Sequence, residues 1–348
     1  AQVPEEHFDT VVDALIESGD IKVWNAQEIL KRVQNNTAVA QGPEPRSYAS
    51  GKIILLGEHA VVYGRPALAA PIPLAVEARV VDSADTVLLV PRWGIEQRIP
   101  PLSENPQGVA GILALLLERL DLASRALTIE AFPNVPRAMG LGGSSALAVA
   151  VIRALSDHFK LDLSNERINK LAFECERAAH GTPSGVDNTI ATYGSTLLFE
   201  NNGSPSFQEV RPARSVSIAI GISGKESLTA TTVAQVRKAW ERQPERYERI
   251  FDQIGDLTRA GTEALQDGAY QELGELMNLC QGYLNALQVS TPELEELIHI
   301  ARRRGAVGAK LTGGGGGGSV IALCPDGADD VVEAMQNSGF EALAFDLA

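Results

Sequence analysis

At 348 residues with 45% hydrophobic residues, the chain can bury a full core and should form about two domains. A formal net charge of -14 excludes nucleic acid and an anionic membrane surface as main partners, so any phosphate must be held by local amides and a few placed cations. No apolar run approaches the roughly 20 residues that span a bilayer, and the three widely spaced cysteines, Cys175, Cys280 and Cys324, form no zinc pattern; a soluble protein of a reduced, cytoplasmic compartment is expected.

In chain order, residues 1 to about 36 place Phe8, Val11, Val12, Leu15 and Ile16 at helical spacing, followed by a second helical run through Ile29, Leu30 and Val33. Thr37 to Arg46, with Gly42, Pro43 and Pro45, reads as a linker. The apolar run Lys52-Ile53-Ile54-Leu55-Leu56-Gly57 then predicts a strand that ends in Glu58-His59, and Ala75 to Val81 and Val87 to Val90 predict two more. Helical periodicity covers Val109 to Leu120 and the stretch after Ser144 through Leu155, and a further helix is expected over Asn169 to Ala179. The second half predicts a strand over Val216 to Gly221, long amphipathic helices from about Ala230 to Leu287 and a helix over Pro292 to Arg304. Strands at Ser319 to Leu323 and Ala342 to Phe345 flank a last helix, so the pattern is α+β rather than a regular βαβ alternation.

Three segments carry chemistry. In Pro136-Arg137-Ala138-Met139-Gly140-Leu141-Gly142-Gly143-Ser144-Ser145-Ala146, the glycines let backbone approach a ligand, and free amides at the start of the following helix would face an anion. No Lys follows the last glycine as in a Walker A loop, and no ribose-binding acid follows as in a dinucleotide fingerprint; a glycine turn that merely packs a helix on a sheet is the alternative. In His180-Gly181-Thr182-Pro183-Ser184-Gly185-Val186-Asp187-Asn188, a stiff and then permissive turn delivers Asp187, which could orient a hydroxyl proton or simply cap a helix. Glu176, eleven residues upstream, is a possible second acid at the same pocket, and a pair of acids suits magnesium and proton transfer. The third segment is Lys310-Leu311-Thr312 followed by Gly313 to Gly318. Six glycines between two strands cost backbone entropy and call for a close approach to a ligand or a neighbouring helix. Taken singly, Lys52 reads as a solvated strand-edge residue and His59 as a packed histidine.

Together and in this order, these motifs resemble the GHMP kinase superfamily of small-molecule kinases, whose second motif is a Pro-x-x-x-Gly-Leu-Gly-Ser-Ser-Ala loop over nucleotide phosphates. The segments Lys52 to Gly64, His180 to Asn188 and Lys310 to Thr312 look like the branch whose acceptor is mevalonate, over about 300 residues from near Ser47 to the end. The resemblance implies two α+β domains, 47–212 for ATP with a fold like ribosomal protein S5 domain 2, and 213–348 with a ferredoxin-like fold. A helical extension and linker, 1–46, precede them. It implies transfer of phosphate from ATP, with Mg2+, to the primary hydroxyl of mevalonate, a step of isoprenoid biosynthesis. Another small-molecule kinase of the superfamily, for phosphomevalonate or a sugar, is the nearest alternative, and a non-catalytic ATP-binding sensor is the one from a different class.

By the same resemblance, Asp187 and Lys52 would be catalytic, and Glu58, His59 and Thr229 would bind substrate. Gly140, Leu141, Gly142, Gly143, Ser144, Ser145 and Ala146 would hold ATP, Ser144 and Glu176 would hold magnesium, and Gly313, Gly314, Gly315, Gly316 and Gly317 would shape the floor of the site. An ungapped match puts Gly143 at the family's first serine, leaving Ser144 and Ser145 as alternatives for the metal, while Gly314 and Ser319 stand where the family has alanine and cysteine. A homodimer is expected. Val3 to Arg32, with Gly19-Asp20-Ile21-Lys22-Val23-Trp24, resembles the carboxyl-terminal tail of a class II HMG-CoA reductase, which implies a reductase fusion; an unrelated two-helix extension is the alternative.

Overall fold

The computed structural model describes residues 46–100, 108–180, 183–201, 203, 205–227 and 229–348. The two helical runs at the head of the chain, the reductase-like segment and nearly all of the linker lie outside the described residues.

The first sheet comprises β1 (Ser47–Leu56), β2 (Ala67–Asp82), β3 (Val87–Val90), β4 (Ile95–Arg98), β5 (Leu127–Pro133), β6 (Leu197–Asn201) and β7 (Pro205–Glu209). Its order is β4-β3-β5-β2-β6-β7, with β1 paired to β2. Among the described residues, β3 and β5 are the one parallel pair of this sheet. Strand β2 begins eight residues before the expected Ala75 and runs through Pro71 and Pro73, of which Pro73 lies in a step where β1, β5 and β6 make no pair with it. Strand β6 pairs only with Ala67 to Ala69, β5 only with Val76 to Asp82, and the β1 register shifts between Ser50 and Lys52, opposite Pro71.

Helices α1 (Gly108–Arg119), α2 (Gly143–Phe159), α3 (Asn165–His180) and α4 (Val186–Tyr193) accompany this sheet. Helix α2 packs on β1 and β2, α3 on α1 and α2, and α4 on α2 and β1. Strand β1 is therefore covered on both faces, with Ile53 and Leu55 in the main core and Ile54 in a second cluster with Val186, Ile190 and Phe199 under α4. This double burial is why β1 reads as an unbroken apolar run rather than an alternating one.

The second sheet joins β8 (Val216–Ile222), β9 (Gly308–Thr312), β10 (Ser319–Cys324) and β11 (Glu341–Leu347) in the order β11-β8-β10-β9, all antiparallel. That is the 4-1-3-2 order of a ferredoxin-like unit, so the chain has the two-part α+β architecture expected. Between β8 and β9 run α5 (Thr229–Arg242), α6 (Pro244–Asp267), α7 (Tyr270–Ala286) and α8 (Pro292–Arg303), and α9 (Asp329–Asn337) joins β10 to β11. The long helical stretch is cut where sequence chemistry cuts it: Pro244 starts α6, Gly268 ends it at φ 72°, and the Thr291 side chain caps α8 ahead of Pro292. Among the described residues, no helix is long and apolar enough to cross a membrane.

Candidate active site

The loop between β5 and α2 ends in two left-handed glycines, Gly140 at φ 73° and Gly142 at φ 74°. Gly142 is the N-cap of α2 and offers no side chain, so no side-chain cap takes up the first-turn amides. Strand β1 runs directly against this loop. Lys52 donates its backbone N–H to the Leu141 carbonyl at 2.9 Å and its Nζ to the Gly140 carbonyl at 3.1 Å. A Cβ on Gly142 would lie 2.8 Å from Lys52 Cγ, so the glycine is required by the lysine beside it. Far from being a solvated edge residue, Lys52 is 3% exposed.

Lys52 Nζ also lies 3.3 Å from Asp187 Oδ1. Asp187 stands in the first turn of α4, but the cap position belongs to Gly185 at φ 94°, and the Asp187 carboxylate is turned to Lys52 instead. Its side chain keeps 30% of its surface exposed, against 4% for Lys52, so the acid is the accessible member of the pair. Glu176, on α3, feels the Asp187 charge. Burial and then that neighbouring carboxylate push Glu176 up to about 7, opposed by a hydrogen bond from Ser145 and by the Lys52 charge. The serine hydroxyl that meets Glu176 is thus Ser145, which is buried, whereas Ser144 is exposed beside it. Helices α3 and α4 are joined below the acids by Asn188, whose Nδ2 donates to Asn169 Oδ1 at 2.6 Å.

Glu58 and His59 are both buried. The Glu58 carboxylate is enclosed and ion-paired to Lys310 Nζ on β9, so it faces the interior and not the cleft. Burial raises its pKa, opposed by the Lys310 charge. His59 is 5% exposed and its Nε2 lies 3.0 Å from the Gly314 carbonyl, where it acts as donor; burial lowers it to about 4. Thr229 is exposed at the start of α5, with its Oγ1 3.0 Å from Ser227 Oγ.

The second glycine loop closes against the first. A Cβ on Gly313 would meet the Gly140 carbonyl at 3.0 Å, and Ser319 Oγ donates to the Met139 carbonyl at 2.9 Å. Gly314 cannot carry the family's alanine without moving Thr229, whose atoms would lie 2.7 Å from its Cβ. The Thr312 hydroxyl reaches across to β1, accepting from Ile54 N–H at 2.8 Å where the β1 register shifts. Sequence reasoning singled out Lys310 and Thr312 in the third segment and Ser319 just after it without foreseeing their partners, and it missed Ser227 and Thr232 as parts of this junction; the run of small hydroxyls Ser227, Thr229 and Thr232 near a helix start was the available signal.

Beside Glu176 a small opening of about 50 Å³ is walled by Leu88, Ile112, Leu116 and Leu147, with Ser144 and Glu176 among its polar lining. The Lys52–Asp187 pair and the two interlocked glycine loops thus meet where β1, α2 and α4 come together, and the apolar recess opens beside Glu176 between β3, α1, α2 and α3. Residues 108–195 match the description "GHMP kinases N terminal domain" and residues 262–341 match "GHMP kinases C terminal".

The chain belongs to the GHMP kinase family. Its relatives in that family include the mevalonate kinase of Methanothermobacter thermautotrophicus, 38% identical over 83% of this chain and 93% of the relative. The mevalonate kinase of Thermococcus sibiricus is 34% identical over 84% of this chain and 92% of the relative. Among solved structures, L. major mevalonate kinase in complex with R-mevalonate superposes with a TM-score of 0.71 at 31% identity, over 84% of this chain and 92% of that one. The Methanococcus jannaschii mevalonate kinase gives 0.74 at 26% identity, over 88% and 98%.

Proposed function

We propose that this chain is an ATP- and Mg2+-dependent kinase that phosphorylates the primary hydroxyl of mevalonate, giving 5-phosphomevalonate and ADP. The observation that carries the reading is the Lys52–Asp187 pair, 3.3 Å apart and set beside the uncapped start of α2. Phosphoryl transfer needs positioning and charge neutralisation more than covalent chemistry, and those are what this arrangement supplies. Asp187, the more exposed member, accepts or orients the proton of the acceptor hydroxyl. Lys52, held from the other side by the Gly140 carbonyl, favours the ionised hydroxyl and steadies charge on the group in transfer. The amides of Gly143, Ser144 and Ser145 take the nucleotide phosphates at the positive end of α2.

The donor set fits magnesium. Glu176 and the adjacent serine hydroxyls are hard oxygen donors, and a carboxyl raised by burial and by a second carboxylate is one that a divalent cation would discharge. Glu176 and Ser144 would hold the ion, with Ser145 fixing the Glu176 carboxylate, and the bound ion would neutralise phosphate charge. On this reading the 47–212 domain carries the nucleotide and the 213–348 domain completes the acceptor side through Thr229 and the Gly313–Gly317 loop.

The test is coupled ADP release with Mg-ATP against mevalonate, phosphomevalonate, galactose and homoserine. Turnover with mevalonate alone is expected, and Asp187→Asn should lower it by roughly 10³-fold while leaving ATP binding in place. Turnover with another acceptor only, or substantial turnover in the variant, would overturn the assignment.

A further inference from the structure

Glu58 and Lys310 form an ion pair between residues 252 apart in sequence, with 0% of either side chain exposed. Lys310 makes a second bond, to the Leu311 carbonyl at 2.7 Å, and Glu58 Oε2 has no hydrogen-bond partner among the described residues. Such a pair is poor value as a stabiliser, because desolvating two charges offsets most of their attraction and apolar replacements often do as well. Its surroundings point to geometry instead.

Immediately after Glu58 the chain turns at His59 with φ 61° and ψ −48°. The Ala60 N–H bonds back to the Glu58 carbonyl at 2.7 Å, which makes this a γ-turn of the rare positive-φ kind. A non-glycine residue there is strained, and the strain persists only where neighbours over-determine it. Two neighbours do so, and both come from the same stretch of the second sheet: Lys310 holds Glu58, and the Gly314 carbonyl holds His59 at 3.0 Å. On the other flank Gly57, at φ 106°, abuts the next strand so closely that a Cβ would lie 2.5 Å from Ala67 Cα. The turn therefore sits between Ala67 on one side and β9 with the loop that follows it on the other.

We propose that Lys310 is a positioning residue: through Glu58 it holds the His59 turn in its strained form against the glycine loop and so shapes the acceptor side of the site. The inference rests on the kinase reading above. The Lys310 side chain is fully enclosed, and its effect is carried by Glu58 and His59.

The test uses the full chain with Lys310→Met and with the double variant Lys310→Met/Glu58→Gln, followed by melting, by KM and kcat for mevalonate and ATP, and by NMR titration of the His59 ring, assigned with His59→Gln. The single variant should melt lower because it leaves Glu58 buried and unpaired, and the double variant should recover much of that loss. In the double variant the KM for mevalonate should rise about tenfold with the KM for ATP little changed. Its His59 ring, which in the parent titrates only near about 4, should move toward the ordinary value of about 6.5. A folded double variant with parental mevalonate KM and a parental His59 titration overturns the proposal. If the parent itself turns over no mevalonate while the ring titration still separates it from the double variant, the acceptor assignment fails and the clamp stands.

Discussion

The two glycine loops look alike in sequence and are built for opposite purposes. In the first, Gly143 meets only ordinary contacts, the nearest at 3.5 Å, and the tight neighbour of Gly142 is a lysine side chain. In the second, a Cβ would run into backbone: Gly315 into the Val289 carbonyl at 2.2 Å, and Gly317 into the Glu226 carbonyl at 2.5 Å. The first loop uses glycine to leave room in front of a helix start, and the second uses it to let three chain segments pass within van der Waals contact. Glycine content marks close approach, but it does not say whether a ligand or the protein itself does the approaching.

The sharpest way to break this contrast is Gly315→Ala. With a left-handed backbone at φ 71° and a carbonyl in the way, it should cost about 3–5 kcal/mol and show as a large drop in the denaturation midpoint. If Gly315→Ala folds normally, the second loop is looser than its packing implies. His59 tests the same loop through pH. Its folded-state value, about 4, lies below the ordinary 6.5, so the unfolded chain takes up a proton that the folded one refuses. The stability His59 confers is complete above about 6.5 and is lost as pH falls toward 4, to a limit of roughly 3 kcal/mol. Urea unfolding between those pH values should show that slope, flattened in His59→Gln.

On the first loop the effects should fall on turnover. Gly142→Ala presses on Lys52 Cγ, so kcat should drop by about 10²-fold for a stability loss of only ~1–2 kcal/mol. Equal losses in stability and turnover would erase the distinction between the loops. The smallest effect belongs to Gly143→Ala at the first position of α2, where an added methyl meets only ordinary contacts. Stability should be unchanged or higher by ~0.5 kcal/mol, and the KM for ATP should shift less than about threefold.

Much of this was legible beforehand for a physical reason. Periodicity exposed the helices, and Pro244, Gly268 and Pro292 sit where the long helical stretch is divided. Where sequence reading fell short, the competing influence was tertiary. Strand β2 accepts Pro73 because it falls where the β1 register shifts and no strand pairs with it, and Lys52 is buried because α2, α4 and the first glycine loop close around it.

The sequence by itself determined the inventory: an acid after a stiff turn, a second acid on the preceding helix, a lysine heading an apolar strand, and two glycine loops in a fixed order. Such features are local, set by backbone freedom and side-chain spacing within a few residues. Only the tertiary structure decided which of them meet. It turned Glu58 away from the cleft and onto Lys310, set Ser145 rather than Ser144 against Glu176, and laid Thr312 across the irregular step in β1. Those partners are fixed by sheet register and by the packing of one half of the chain on the other, and contacts across some 250 residues leave no local pattern to read.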